Sequence, residues 1–336
     1  MSASAARELL QRFPVARRFM VGFEGTRLPV EVRGLLREGL AGIALYARNF
    51  TNPEGLRALA TEIRDAAAKP VLIGIDQEGG TRFSLAAPFT QWPSPAEFGA
   101  AGDARAVRDA ARVMGRELAA AGCNLNFAPM LDLHVNPASP VTQHRSYGSD
   151  PELVGRMGAA FLAGLADAGV LGCAKHFPGH GDAEVDPHED LPVFHGPAER
   201  LTRAELAPFA AAISAGVPTI MTAHILVPKI DAARPASLSR HFLTVLLRER
   251  MGFQGLILAD DLGMGAIRSR FGPGEATVET FAAGADVAMF CHDLSQVGPA
   301  LDATSRALES GALSLAEWEA AGRRVERVLA TTQQSP

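Results

Sequence analysis

Six stretches of this 336-residue chain gather side chains able to move protons, attack carbon or hold a polar ligand. The first is Asp76-Gln77-Glu78-Gly79-Gly80. The second is Asp132, followed later by His144-Arg145-Ser146-Tyr147-Gly148. The third runs from Lys175-His176-Phe177-Pro178-Gly179-His180-Gly181-Asp182 to Asp186-Pro187-His188. His224, Asp260-Asp261-Leu262-Gly263-Met264 and His292-Asp293 complete the set. Carboxylates and imidazoles are the common general acids and bases near neutral pH, carboxylates are also nucleophiles, and both bind metals. A metal-dependent amidohydrolase would draw on His176, His180, Asp186, His188, His224 and Asp260. That class usually opens with a His-x-His pair on its first strand, and Phe19-Met20-Val21-Gly22-Phe23 contains no histidine. No metal or other cofactor is therefore expected.

Each stretch follows a short apolar run. The runs cover 19–22, 42–46, 71–75, 123–127, 170–174, 218–221, 256–258 and 287–290. They are nearly continuous rather than alternating, the pattern of strands buried on both faces of a parallel sheet. Glycines such as Gly39, Gly122, Gly169, Gly216 and Gly284 stand shortly before them, where a helix end can adopt positive φ. The intervening segments read as helices. Ser149 is expected to cap one, with Glu152 three residues on, and Thr202 with Glu205 repeats that logic. Ser239 is expected to cap a helix through Leu247, and 103–121 and 315–329 carry helical periodicity. Eight strands alternating with helices predict an α/β fold, a single (β/α)8 TIM barrel spanning the chain with its core at about 18–330. In such a barrel catalytic groups lie at the C-terminal strand ends. The reactive stretches follow the runs, and no comparable set precedes them, so an enzyme is expected. A doubly wound sheet would show a glycine-rich phosphate turn after the first strand, and Gly22-Phe23-Glu24-Gly25 is a poor match.

The bulk numbers agree. Apolar residues make up 47% of the chain, and the net charge is −5 without a basic cluster, which points away from nucleic acid. Cys123, Cys173 and Cys291 sit in or beside apolar runs and read as buried free thiols. The first 18 residues lack the apolar run of a secretory signal, and no stretch approaches a membrane span. A cytoplasmic protein with no membrane partner is expected; the oligomeric state is left open, a monomer included.

The segment from Lys175 to Pro192 resembles the signature loop of bacterial β-N-acetylglucosaminidases in glycoside hydrolase family 3. Asp260-Asp261-Leu262-Gly263-Met264 resembles the segment carrying that family's nucleophile. Asp76-Gln77-Glu78-Gly79-Gly80 and Arg145-Ser146-Tyr147-Gly148 match in order and spacing, so the resemblance runs over about 18–330. It implies a two-step retaining mechanism with Asp260 as nucleophile, His188 as acid/base and Asp186 orienting the imidazole. It assigns Asp76, Arg145, Lys175 and His176 to the hydroxyls of the terminal sugar. The implied substrate is a small glycan or muropeptide, GlcNAc-1,6-anhydroMurNAc and its peptides. Asp261 is expected to be structural, since strand neighbours point to opposite faces. His180 is expected to shape its loop. Three departures stand out: Thr81 and then Arg82 follow the glycine pair where Arg is usual, Pro187 replaces Ser or Thr, and Gly263 replaces Ser.

Two rivals remain within the resemblance. A β-glucosidase of the same family generally adds a domain bearing a carboxylate acid/base and lacks the histidine loop. A phosphorolytic variant would transfer the sugar to phosphate.

Overall fold

A computed structural model describes residues 9–332 apart from Arg82. Arg82, and the first eight residues of the segment read for a leader, lie outside the described residues. Eight parallel strands close into a barrel in sequence order: β1 (Phe19–Val21), β2 (Gly42–Leu45), β3 (Leu72–Ile75), β4 (Leu125–Asn126), β5 (Leu171–Phe177), β6 (Thr219–Thr222), β7 (Leu256–Asp261) and β8 (Val287–Phe290). Pairing of Met20 with Gly42 on one side and with Met289 on the other closes the ring. All eight predicted strands are present. No helix among the described residues is long and apolar enough to cross a membrane.

The strand ends depart from the predicted runs for physical reasons. β4 is short, and side-chain amides supplement the backbone bonds on either side of it. Asn124 accepts from Ile73 N and donates to Val71 O, and Asn126 does the same with Gln77 N and O. β5 extends three residues past the apolar run, so Lys175 and His176 are strand residues rather than loop residues. β7 likewise continues through Asp260 and Asp261.

Three cap assignments need correction. Asp150, not Ser149, caps Pro151–Asp167, its carboxylate accepting from Glu152 N. Thr202 lies inside a wide helical turn at Leu201–Glu205, where its hydroxyl donates back to Ala198 O, and Glu205 is buried. Ser239 stands two residues before His241–Arg250, and its hydroxyl donates to Asp231 instead. The periodic segments at 103–121 and 315–329 form Ala104–Ala120 and Leu315–Thr331, capped by Asp103 and Ser314.

One apolar layer fills the space between strands and helices, and a second fills the barrel. Met20, Leu72, Phe127, Cys173, Leu258 and Met289 belong to the inner cluster, together with Val325, Val328 and Leu329 of the C-terminal helix. That helix thus seals the end where the strands begin. The three cysteines are buried and unbonded, with burial pushing the Cys123 and Cys173 thiols up to about 12.

Helices Ala104–Ala120 and Pro151–Asp167 approach so closely at Gly164 that a Cβ there would lie 2.3 Å from the Arg108 carbonyl oxygen. Backbone cannot yield as a side-chain tip can. Gly164→Ala is expected to cost about 1–3 kcal/mol, a fall in melting temperature of several degrees by calorimetry. An unchanged melting temperature would show that the helix pair can slide apart without loss.

Candidate active site

A pocket of about 220 Å3 opens where the strands end, with Asp76, Lys175, His176, Asp260 and the Asp186–His188 turn in its wall. β3, β5 and β7 deliver the first four, and the turn comes from the loop after β5. Every site residue expected from the sequence lines this one pocket, Arg145 included.

The floor on the β3–β5 side is a closed set of four charges. Glu78 receives Arg145 in a two-pronged pair, Nε to Oε2 at 2.9 Å and Nη2 to Oε1 at 2.8 Å. Lys175 Nζ reaches Glu78 at 2.8 Å and Asp76 at 2.5 Å. Two carboxylates thus offset two cations, the condition under which charges tolerate burial. Burial alone would raise Glu78, but Arg145 and Lys175 outweigh it and hold the carboxyl down at about 2. Asp76 goes the other way: burial and the Glu78 charge outweigh Lys175, and its carboxyl is raised. Phe83 covers the Arg145 guanidinium at 4.0 Å from its ring centroid. Arg145 and Lys175 are therefore not free to serve sugar hydroxyls alone; each is first committed to an acid. Glu78, which holds both, is a site residue that the sequence pattern alone does not single out. Its signal was a carboxylate two residues after Asp76, on the same side of an extended chain.

Asp132 anchors the neighbouring wall. Its Oδ2 meets His176 Nδ1 at 2.7 Å, and Oδ1 accepts from His180 N at 2.7 Å. Burial would raise it, but the two histidines and these hydrogen bonds keep it down at about 2. As a carboxylate it can only accept, so His176 Nδ1 carries the proton and Nε2 is left as the ring's remaining polar atom. His180 packs edge-on against His176, with ring centroids 5.1 Å apart. Its ring lines the pocket, and both ring nitrogens are buried without partners among the described residues. Burial lowers it to about 4, so it is neutral. It both shapes the loop through its amide and faces the pocket.

Asp132, His176 and His180 are the described residues whose ligand atoms lie close enough to share a metal ion, within 4.8 Å of one another. The wider amidohydrolase set does not assemble. His224 uses both nitrogens, Nδ1 on Ser237 and Nε2 on the Asp261 carbonyl oxygen, and His188 uses Nδ1 on Asp186.

Asp260 sits half-buried at the end of β7, and its Oδ1 accepts from Asp261 N at 2.8 Å. Burial raises its carboxyl, but His224, His176 and His188 together with that amide more than offset it, and the group is lowered. It is ionised at neutral pH, as a nucleophile must be. Asp261 also lines the pocket, contrary to strict alternation. The register against β8 shifts between Leu258 and Asp261, setting three steps on β7 against two on β8. Such a bulge re-aims side chains. Asp261 still has a structural task, accepting from Gly263 N at 2.9 Å.

The Asp186–His188 turn is docked on the segment that follows β7, in the wall of the pocket that Asp260 also lines. Asp186 Oδ1 meets His188 Nδ1 at 2.7 Å and accepts the His188 amide at 2.9 Å. Pro187 O accepts from Ala266 N at 3.0 Å, and His188 O accepts from Gly265 N at 3.2 Å. Gly265 permits this contact: a Cβ there would lie 2.5 Å from His188 O. Pro187 lacks an amide N–H, but its carbonyl makes this bond to the segment that follows β7, a bond open to any residue at that position.

Comparison with known proteins fits this geometry. Residues 23–328 match the model of the glycosyl hydrolase family 3 N-terminal domain. The chain belongs to glycoside hydrolase family 3. A β-hexosaminidase of Thiobacillus denitrificans is 38% identical over 280 residues, 81% of this chain and 77% of that protein. A family 3 β-N-acetylglucosaminidase from Paenibacillus superposes with a TM-score of 0.92 at 39% identity over 96% of this chain, which spans 62% of that one. The β-N-acetylhexosaminidase of Beutenbergia cavernae gives 0.89 at 28% identity, covering 96% of this chain and 98% of its own.

Glu78 and Asp132 both lie below ordinary carboxylate values near 4. Their contribution to stability is present above those values and is lost as pH falls toward 2. Denaturant unfolding is expected to show stability falling from pH 5 to pH 3. Glu78→Gln leaves two cations facing one acid and is expected to cost about 3–5 kcal/mol at pH 7, with a shallower acid decline. A decline as steep as wild type would assign the acid sensitivity to other carboxylates.

Proposed function

We propose that this chain, a glycoside hydrolase of the β-N-acetylhexosaminidase type, is a retaining exo-enzyme. It removes a terminal GlcNAc from peptidoglycan fragments, GlcNAc-1,6-anhydroMurNAc and its peptides, in the cytoplasm. Asp260 is the nucleophile, His188 the acid/base and Asp186 its orienting partner. The observation that carries this reading is an ionised carboxylate at the end of β7 that shares one pocket with an Asp–His pair whose backbone is bonded to the segment following that strand. The β-hexosaminidase relatives support the sugar class.

In the first step His188, as imidazolium, keeps Nδ1–H on Asp186 and gives its Nε2 proton to the glycosidic oxygen. The carbon–oxygen bond breaks as an Asp260 oxygen bonds to the anomeric carbon. In the second step neutral His188 takes a proton from water at Nε2, and the hydroxyl displaces Asp260 with net retention. An imidazole suits this place because its deprotonated form adds no second anion beside Asp260. Asp76, Lys175, Arg145 and His176 bind the sugar hydroxyls. The four-charge set keeps the Lys175 ammonium and the Asp76 carboxylate pre-aligned before substrate enters.

Asp260→Asn is expected to leave the fold intact and to lower turnover of aryl N-acetyl-β-D-glucosaminides by roughly four orders of magnitude, the scale of losing a covalent nucleophile. Retention of most activity would remove Asp260 from the role. His188→Ala is expected to slow substrates with poor leaving groups far more than activated aryl glycosides, because only the former need the proton. Equal losses on both, compared as kcat/KM, would count against acid catalysis by this ring.

A further inference from the structure

The end of the barrel opposite the site holds a second cleft, of about 290 Å3, with Arg18, Arg240, Arg248 and Arg324 in its wall. Arg18 comes just before β1, Arg240 and Arg248 from the helical segment before β7, and Arg324 from the C-terminal helix. Arg248 and Arg324 converge on Asp286, the fully buried residue before β8. That carboxylate is already spent. Its Oδ1 accepts from Arg324 Nε at 2.8 Å, and its Oδ2 accepts from Ile257 N at 2.8 Å and from Arg248 Nη2.

Arg18 gains no carboxylate contact. It donates to the carbonyl oxygens of Asp286 and Ala285, and it lies between Phe281 and Trp318, 4.3 and 4.2 Å from their ring centroids. Three guanidiniums thus surround one carboxylate at the inner end, and with Arg240, Glu317 and Glu249 counted four cations face three acids, a net +1 for the cleft. At the rim Arg240 meets the exposed Glu317 at 3.3 Å, and the exposed Glu249 adds a second solvated acid. Among the described residues Arg248 Nε is buried with no acceptor, and Arg324 bonds only through Nε, so its two terminal nitrogens remain available. Burial chiefly, with the neighbouring cations adding to it and Asp286 opposing, lowers Arg18 to about 9 and lowers Arg248 as well. Ser314 and Trp318 bring the capped first turn of Leu315–Thr331 to the same wall, and a helix start adds further positive potential.

We propose that this cleft is an anion site that takes the phosphate group of a small phosphorylated molecule. The surplus of positive charge favours an anion, and the oxygens of a phosphate suit forked donors arriving from separate elements better than a planar carboxylate does. Arg324 and Arg240 would supply the direct donors, while Arg18 and Arg248 supply field from beneath. Nothing in the hydrolysis of a glycoside requires such a site, so its ligand would be a second one, bound about a barrel's length from the sugar.

The test is calorimetric titration of the full chain with inorganic phosphate and with glucose 6-phosphate, with glucose and chloride at matched ionic strength as controls. One site per chain is expected, weakened by added salt and silent with glucose or chloride. Tighter binding of glucose 6-phosphate than of phosphate would identify the source as a phosphomonoester; equal binding would identify phosphate itself. Arg324→Gln and Arg240→Gln are each expected to weaken binding roughly tenfold or more, the worth of one charge-assisted hydrogen bond. Asp260→Asn should bind as wild type does. Arg240 is exposed, so its variant decides the matter should Arg324→Gln fail to fold. Absence of saturable binding, or binding of unchanged strength in Arg240→Gln, would overturn the proposal.

Discussion

Charge that leaves water must find its counter-charge inside, and this constraint organises both ends of the barrel. At the mouth, Asp76, Glu78, Lys175 and Arg145 come from β3, the β4 loop and β5, and none could be buried without the others. Their mutual pairing fixes the relative positions of three chain segments more tightly than apolar packing can, because a forked Arg–carboxylate pair tolerates little rotation. The same pairing leaves a rigid polar floor for hydroxyl groups. Asp132 repeats the device on a smaller scale. By accepting from His176 and from the His180 amide, it sets the tautomer of one ring and the path of the loop that carries the other.

The acid/base pair is tied to the nucleophile by backbone rather than by side chains. His188 is half-exposed, and among the described residues its ring is hydrogen-bonded by Asp186. Two amides of the segment after β7 hold the carbonyls of Pro187 and His188, which sets that turn against the strand carrying Asp260. Gly265 is what makes so close an approach possible. On the other side of the strand, His224 donates to the Asp261 carbonyl oxygen and fixes the peptide beside the nucleophile. A long loop and a strand end therefore act as one unit through main-chain contacts, whose positions depend less on side-chain entropy.

The closed end shows the same rule left incomplete. Asp286 neutralises one guanidinium's worth of charge among three, and the surplus faces a cleft whose acids, Glu317 and Glu249, stand exposed at the rim. In barrels of this kind the end where strands begin usually serves stability. Here the C-terminal helix supplies that stability through Val325, Val328 and Leu329, while its polar face contributes Arg324 to the cleft. One element thus closes the core and exposes charge on opposite sides.

The sequence alone determined the barrel, because eight apolar runs with glycines before them admit few other arrangements, and it located the reactive residues by their place after each run. Asp260, the Asp186–His188 pair, Asp76, Arg145, Lys175 and His176 were all legible, since spacing and residue type are local properties. What only the tertiary structure decided is how these groups spend their bonds. Glu78 gathers Lys175 and Arg145 across nearly 100 and 67 residues, Asp261 turns into the pocket through a bulge set by its pairing with β8, and Ser149, Thr202 and Ser239 yield their caps to neighbours or to tertiary hydrogen bonds. Arg18, Arg248 and Arg324 gave no sign in sequence of meeting at Asp286. Periodicity and motif spacing report which face a residue occupies within its own element; partners brought together by closing the ring leave no such periodic trace.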